Sequence, residues 1–462
     1  MTREDDPIVM PLDVQQRLVA VIRARLPRKS FGYLIAAEGS PMPTDFVLFE
    51  DNIRNSDDWK PEFLSYGRYF ADHDNAGFVA TPEESWRLQK ELWARGMTQV
   101  GVFHSHLRHP ANFSQIDYDM HMGRFEHLWH LIVSMRNPEF ALLRIFDVSR
   151  AGVRERTMIA DAPPAADDRL RTGAAENDAV ATARSLLALD DAGRPRCDDT
   201  QALYRAVRAL VLTENGAAVD ELLVRGFLRG SSERYERYVA PGMRGLDGGA
   251  FVMGTSPLRA RHFYGECPEH VVELSPFAIA ACPVTNELFG TFDERRQPLH
   301  RDDRRKPVAG VSWFDAAVFA MWMGCRLPTE AQWEFACGAR SEGEWCCGDD
   351  ERLLPRHAWY SENSGDEAQP VGTREPNAFG LFDFHGNVWE WCRDGFDQDY
   401  YSRAPLADPV NEAPATSNVC RGGSFRALPE MCRTRFRIHE PSGYWAADLG
   451  FRLVRGEPTV PG

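Results

Sequence analysis

Basic charge is in short supply in this 462-residue chain: 53 lysines and arginines stand against 68 aspartates and glutamates, a formal net charge of −15. That balance argues against nucleic acid or an anionic membrane as a partner, because either requires a basic face that displaces counterions from phosphates. Long apolar runs are missing too. No stretch is long enough to span a bilayer, and the opening Met1-Thr2-Arg3-Glu4-Asp5-Asp6-Pro7 has no basic segment leading into an apolar one, so a cytoplasmic location and no membrane contact are expected. No cysteine precedes Cys197. The ten from there onward are scattered rather than spaced as a disulfide framework, and are read as mostly reduced, with Cys346-Cys347 and Cys420/Cys432 as the pairs to watch.

What is present is the composition of a globular chain, 43% hydrophobic and 26% charged. At about 150 residues per domain, its length implies two or three units. Leu12 to Arg25 carries the apolar spacing of an amphipathic helix (Leu12, Val14, Leu18, Val21, Ile22) that stops before Pro27. Phe31 to Ile35 reads as a buried strand and Phe46 to Phe49 as the next. A helix from Pro82 to Arg95 precedes a short apolar strand, Val100 to Phe103, and Leu131 to Val133 and Leu142 to Phe146 add two more. This α/β unit closes near residue 160. Ala162 to Asp178 has the Ala, Pro, Asp and Arg composition of a linker, and three helical stretches (181–189, 200–212 and 219–228) follow it as a small insert. From Gly248 onward Gly, Pro, Trp and Phe recur between short apolar runs, which predicts many loops and little regular structure. The expected division is 1–160, 161–244 and 245–462.

The strand Gly101 to Phe103 runs directly into His104-Ser105-His106, and Ser114 and Asp117 follow. Two histidines two apart on a strand face the same way, and a carboxylate on the next helix completes a three-ligand set with one position left open. Zinc held in such a set lowers the pKa of water in the open position to roughly 7. The pattern H-x-H-x7-S-x2-D resembles the JAMM (Mov34/PAD-1, MPN) metallopeptidase family over roughly residues 10 to 150. The resemblance implies that His104, His106 and Asp117 bind zinc and that Ser114 helps to stabilise the oxyanion. The family's general base is a glutamate three residues before the glycine of the early strand; here that position is Lys29, in Arg28-Lys29-Ser30-Phe31-Gly32. A lysine cannot take the proton unless its pKa falls far below about 10. Lys29 is instead read as a holder of an anionic substrate group. His121, His127 and His130 follow at roughly helical spacing among Phe125, Leu128 and Trp129, and are read as the edge of a helix packed on the core.

A second run of signatures opens with Gly248 to Gly254. It continues through Val284-Thr285-Asn286, Pro307-Val308, Val311-Ser312-Trp313, Arg326 to Glu330 and Gly386 to Trp391, and closes with Arg421 to Phe425 and Gly450-Phe451-Arg452. These resemble the formylglycine-generating enzyme, or sulfatase-modifying factor, family from about 245 to 456. The implied fold is α+β and multidomain: a JAMM-type α/β sandwich, a short helical linker region, and a C-type-lectin-related domain with little regular secondary structure. By the same resemblance Asn387 and Glu390 are oxygen donors of a calcium site. Family members that oxidise a substrate cysteine bind copper(I) with two cysteines after the Arg-Gly-Gly-Ser motif. Cys432 fills the second of those positions, and Ala427 occupies the first. An iron site could draw on His262, His270, His357, His385 or His439.

Two functions follow. In the first, the N-terminal unit is a zinc-dependent amide hydrolase acting on the C-terminus of a ubiquitin-like or sulfur-carrier protein, and the C-terminal unit binds or modifies a sulfur-containing product. In the second, the C-terminal unit is a metal-dependent oxidase or sulfur-handling enzyme, using copper or iron, and the JAMM-like unit recruits the carrier.

Overall fold

The computed structural model describes residues 6–65, 77–125, 127–150, 152–160, 230–256, 265–296, 300–413 and 415–456. The linker and the three helical stretches expected between 162 and 228 lie outside these residues, as does His262. The chain divides into two compact units, one holding the elements up to residue 160 and the other those from residue 230 onward. No helix among the described residues is long and apolar enough to cross a membrane.

The first unit begins with β1 (Ile8–Val9) and α1 (Leu12–Ala24), followed by β2 (Phe31–Ala37), β3 (Asp45–Leu48), α2 (Lys60–Ser65) and α3 (Pro82–Ala94). Next come β4 (Met97–His106), α4 (Gln115–Met122), β5 (Trp129–Ser134), β6 (Leu142–Ser149), β7 (Gly152–Arg156) and β8 (Met158–Ile159). Six strands form one sheet in the order β3-β2-β4-β5-β6-β7, with β4 and β5 parallel and the other neighbours antiparallel.

Each face of this sheet is covered by a helix stripe that the sequence spacing already supplies. Val14, Leu18 and Ile22 of α1 bury against Leu34, Phe103, Leu131 and Ile145. Leu88 and Leu92 of α3 bury against Phe31, Tyr33, Ile35 and Val102 on the opposite face. Between Leu34 and Ile35 the pairing skips Val100, a bulge that turns Val100 to the α1 side and leaves Val102 and His104 on the α3 side. Gly32 is required where it stands: a Cβ there would meet the Val47 carbonyl oxygen at 2.0 Å and the Phe103 ring at 2.8 Å.

The second unit is held together less by its short strands than by what lies between them. β9 (Met243–Leu246) pairs with β12 (Phe277–Ala280), which also pairs with β19 (Val454–Arg455); β10 (Gly249–Met253) and β11 (His270–Leu274) form a hairpin ladder. β13 (Ala358–Trp359) lies beside β14 (His385–Gly386), and β15 (Trp389–Gly395), β16 (Ser417–Arg421), β17 (Arg437–Pro441) and β18 (Leu449–Gly450) make a four-stranded sheet. Two helices are central. In α5 (Trp313–Trp322) eight of ten residues are buried, so it is apolar on all sides, as an interior helix must be. α6 (Glu330–Gly338) starts as its sequence predicts: the Thr329 hydroxyl accepts from the Gln332 amide, and the Gln332 side chain accepts from the Thr329 amide, a reciprocal cap.

Candidate metal centre

On β4, alternation puts Val102, His104 and His106 on one face. The chain then loops back through Pro110 and Ser114 to α4, where Asp117 occupies the third helical position. Ser114 caps this helix: its hydroxyl oxygen accepts from the Asp117 amide at 3.2 Å, and its hydroxyl donates to Asp117 Oδ2 at 2.6 Å. The capping box therefore fixes the carboxylate's direction as well as starting the helix. In this structure the Ser114 proton is committed to Asp117.

Three donor atoms converge. His104 Nε2 lies 2.9 Å from His106 Nε2 and 3.2 Å from Asp117 Oδ1, and His106 Nε2 lies 3.9 Å from Asp117 Oδ2. Zinc with arms of 2.0–2.1 Å sets tetrahedral ligand atoms about 3.3 Å apart, so the set has the size and the N, N, O chemistry of a zinc site. The protonation pattern points the same way. His106 Nδ1 sits 2.7 Å from the Pro110 carbonyl, a contact that requires N–H on that nitrogen and leaves the lone pair on Nε2. His104 Nδ1 is 2.9 Å from His130 Nε2, and His130 Nδ1 is 3.0 Å from His121 Nδ1. One consistent arrangement runs N–H to lone pair from His104 through His130 to His121, which again frees His104 Nε2. Burial is the first cause holding His104, His106 and His130 toward the neutral form; for His104 the neighbouring His106 and Lys29 act in the same sense, whereas Asp117 opposes the shift at His106. Among the described residues no other group of His, Cys, Asp and Glu gathers in this way.

The reading of His121, His127 and His130 as one helix edge needs correction. His121 is on α4, His127 is in a turn at φ 75°, and His130 is buried on β5, across from Val102 and against His104. A parallel strand, not a helix, delivers it. The buried carboxamide of Asn112, in the loop between the ligands, has no hydrogen-bond partner.

Lys29 is placed by register. Phe31 is paired with His104, and one residue further on the Ser30 carbonyl accepts from the Ser105 amide at 2.8 Å while the Ser30 amide donates to Ser105 Oγ at 2.9 Å. Continuing by one residue sets Lys29 across from His106. Burial lowers its pKa, Asp117 raises it and Arg54 lowers it. Of the other carboxylates near β2, Glu38 is exposed past its far end, and Glu50 follows Phe49, whose amide donates to the Phe31 carbonyl, and is exposed and paired with Arg25.

In the second unit the motif residues meet one another. Arg452 donates Nε to Glu390 Oε2 at 2.6 Å and an η nitrogen to Oε1 at 2.7 Å, and Trp333 Nε1 adds a third bond at 2.8 Å, all fully buried. Glu390 is thus the counter-ion of Arg452, and a divalent cation at Glu390 would have to share the carboxylate with that guanidinium. Asn387, at φ 61°, exchanges hydrogen bonds with the Gln369 backbone through both ends of its amide and is a turn residue. Arg421 pairs with Glu334 and Glu330, Arg437 with Glu330, and Arg433 with Glu266.

The copper reading of Cys432 fails on packing. The residue is fully buried with its sulfur against Gly423, burial pushes the thiol up and away from thiolate, and the Ala427 methyl is buried where a second sulfur would be needed. Cys420 lies near Cys392 rather than pairing with Cys432, and the nine described cysteines are thiols. The iron candidates do not assemble either. His357 contacts the Glu375 carbonyl, His439 stacks on Phe396 at 3.8 Å, and His270 packs on Tyr401. His385 is enclosed between the Cys432 carbonyl and the Cys346 amide.

Together, the two-faced sheet with its His-x-His strand and capped aspartate defines a JAMM-type metal domain, followed by an α+β domain built on buried arginine–glutamate pairs. Residues 11–145 match the family model of prokaryotic homologs of the JAB domain, and residues 229–457 match that of the sulfatase-modifying factor enzyme 1-like domain. The chain belongs, through this C-terminal part, to the formylglycine-generating enzyme family. The formylglycine-generating enzyme of Streptomyces coelicolor is 31% identical over 284 residues, 47% of this chain and 90% of that protein. That of Thermomonospora curvata is 30% identical over 291 residues, 48% of this chain and 95% of that protein. Among solved structures, PvdO from Pseudomonas aeruginosa is 26% identical, covering 46% of this chain and 94% of its own, with a TM-score of 0.43.

Proposed function

We propose that the N-terminal unit is a zinc-dependent amide hydrolase of JAMM type, acting on the C-terminus of a ubiquitin-like or sulfur-carrier protein, and that the C-terminal unit binds or modifies a sulfur-containing product. The observation that carries this is the convergence of two Nε2 atoms and the Asp117 carboxylate on one space at zinc-ligand spacing, with the His106 Nδ1 contact to the Pro110 carbonyl favouring a free Nε2 on that ring. Such a set of nitrogen and oxygen donors suits a divalent cation. Zinc held there supplies Lewis acidity toward the amide carbonyl and acidifies water. The chain's own residues do the rest: Ser114 and His130 orient the ligands, and Lys29 presents a positive charge beside them.

Hydrolysis is slow in this reading, because the general-base position is a lysine. Restoring the carboxylate with Lys29→Glu raises the rate by about 10²–10⁴-fold. The direct test is metal content per chain for the wild type and for His104→Ala/His106→Ala, each purified without added metal, alongside cleavage of a carrier protein extended at its C-terminus. Zinc near one per chain that vanishes in the double variant supports the site. Zinc absent from the wild type, or retained by the variant, refutes it. The oxidase alternative has no observation in its favour, given Ala427 and the buried Cys432.

A further inference from the structure

Next to His104, on the same sheet face, lies a cavity of about 270 Å³. Phe31, Tyr33, Phe49, Trp59, Phe78 and Phe125 line it. An apolar cavity of about 150 Å³ already accepts a benzene ring, so this one has room for an aromatic side chain together with its Cα. It adjoins the metal centre through its lining residues. Phe31 is the strand partner of His104, Val102 precedes His104 by one step on the same face, and the Phe78 ring lies 5.2 Å from the His104 ring. The lining rings are already arranged at offset and edge-on spacings, 4.7 Å for Phe31 and Phe78 and 4.8 Å for Tyr33 and Phe49, which favour another ring over an aliphatic chain.

Two residues before Phe31 on the same face stands Lys29, about 7 Å away along the strand. It is half-buried, with the Asp117 carboxylate and the Arg54 guanidinium close enough to act on its charge. A lysine on one side and an aromatic cavity on the other therefore flank the ligands.

We propose that this cavity and Lys29 together bind an aromatic amino acid joined by its amine to the carrier's C-terminus, with the ring in the cavity and the free carboxylate at Lys29. This rests on the hydrolase reading above and adds the leaving residue to it. The reaction is balanced by one water: the C–N bond breaks, the carrier regains its C-terminal carboxylate, and the amino acid departs with a free amine. Lys29 then acts on binding, so in Lys29→Glu the gain in rate from a restored base is accompanied by weaker binding of a substrate with a free carboxylate.

The test uses the zinc-loaded full chain and the peptides acetyl-Gly-Gly-Phe, acetyl-Gly-Gly-Ala and acetyl-Gly-Gly-Phe-amide, with binding followed by calorimetry and cleavage by released amine. Burial of the ring predicts that the Phe peptide binds about 10- to 100-fold more tightly than the Ala peptide. The preference is lost in Ala80→Phe, which fills the cavity, and the gap between acid and amide is lost in Lys29→Gln; zinc content checks that both variants are folded. Cleavage without preference for Phe overturns the pocket and leaves the hydrolase standing. Selective binding of the Phe acid with no cleavage of any peptide supports the pocket and overturns the hydrolase. No binding and no cleavage overturns both.

Discussion

Each unit buries a polar cluster, and the two clusters differ in how their charges are matched. In the C-terminal unit three buried carboxylates each have a guanidinium: Glu390 with Arg452, Glu334 with Arg421, Glu266 with Arg433. In the N-terminal unit two imidazoles held toward the neutral form and a carboxylate converge with no guanidinium bonded to any of them, only Lys29 standing beside. A compensated cluster is finished and holds a fold; an uncompensated one is a receptor for a cation. Burial and residue type alone do not separate the two cases, since histidine, aspartate and glutamate are enclosed in both. The partner does.

The largest effect should come from breaking a matched pair. Arg452→Met leaves Glu390 fully buried with no counter-charge and should cost about 3–5 kcal/mol in denaturant unfolding of the full chain. A cost below about 1 kcal/mol would mean that the pair is not the scaffold described. Next is acid. Burial holds His385 at about 4, below its ordinary 6.5, so the unfolded chain binds a proton that the folded one refuses as pH falls from 6.5 to 4. Its contribution is complete above pH 6.5 and is lost through that window, at most about 3 kcal/mol at 1.36 kcal/mol per unit. In His385→Gln the slope of stability against pH should flatten there, and an unchanged slope would assign it to other groups.

A smaller effect sharpens the unmatched side. His130→Phe keeps an aromatic ring on β5 but leaves His104 Nδ1 without its partner, and should weaken zinc affinity about 10- to 100-fold in chelator competition, with the fold and the zinc stoichiometry retained. Ser114→Ala is the mildest: loss of the cap should cost about 1 kcal/mol, with a modest loss of zinc affinity as Asp117 is freed to rotate. If Ser114→Ala weakened zinc more than His130→Phe, the order of importance argued for the two supports would be reversed.

Much of the N-terminal sheet was legible because its signals are local. The apolar stripe of α1, the strand beginning at Phe31 and the His104-Ser105-His106 strand leading to Asp117 all appear within a few residues of where they fold. His130 was missed although it directly precedes the apolar run Leu131 to Val133; a histidine heading a buried strand was the available sign. The ion pair of Glu390 was not legible for a different reason. Its partner Arg452 lies 62 residues away, and no spacing within Gly386 to Trp391 reveals that its charge is already answered. The same holds for Cys432, whose enclosure depends on Gly423 and on packing that a list of motifs does not contain.

β4 lies inside the sheet, bonded along its length to β2 on one side and β5 on the other. Amides in such a strand exchange with solvent only when a large part of the structure opens, whereas those of an eight-residue surface helix such as α4 exchange by local fraying. The two histidines are thus attached to the slowest-opening part of the unit and Asp117 to a faster one. Any adjustment on metal entry falls to the helix, and deuterium uptake should slow on α4 when zinc is added while β4 stays as protected as before.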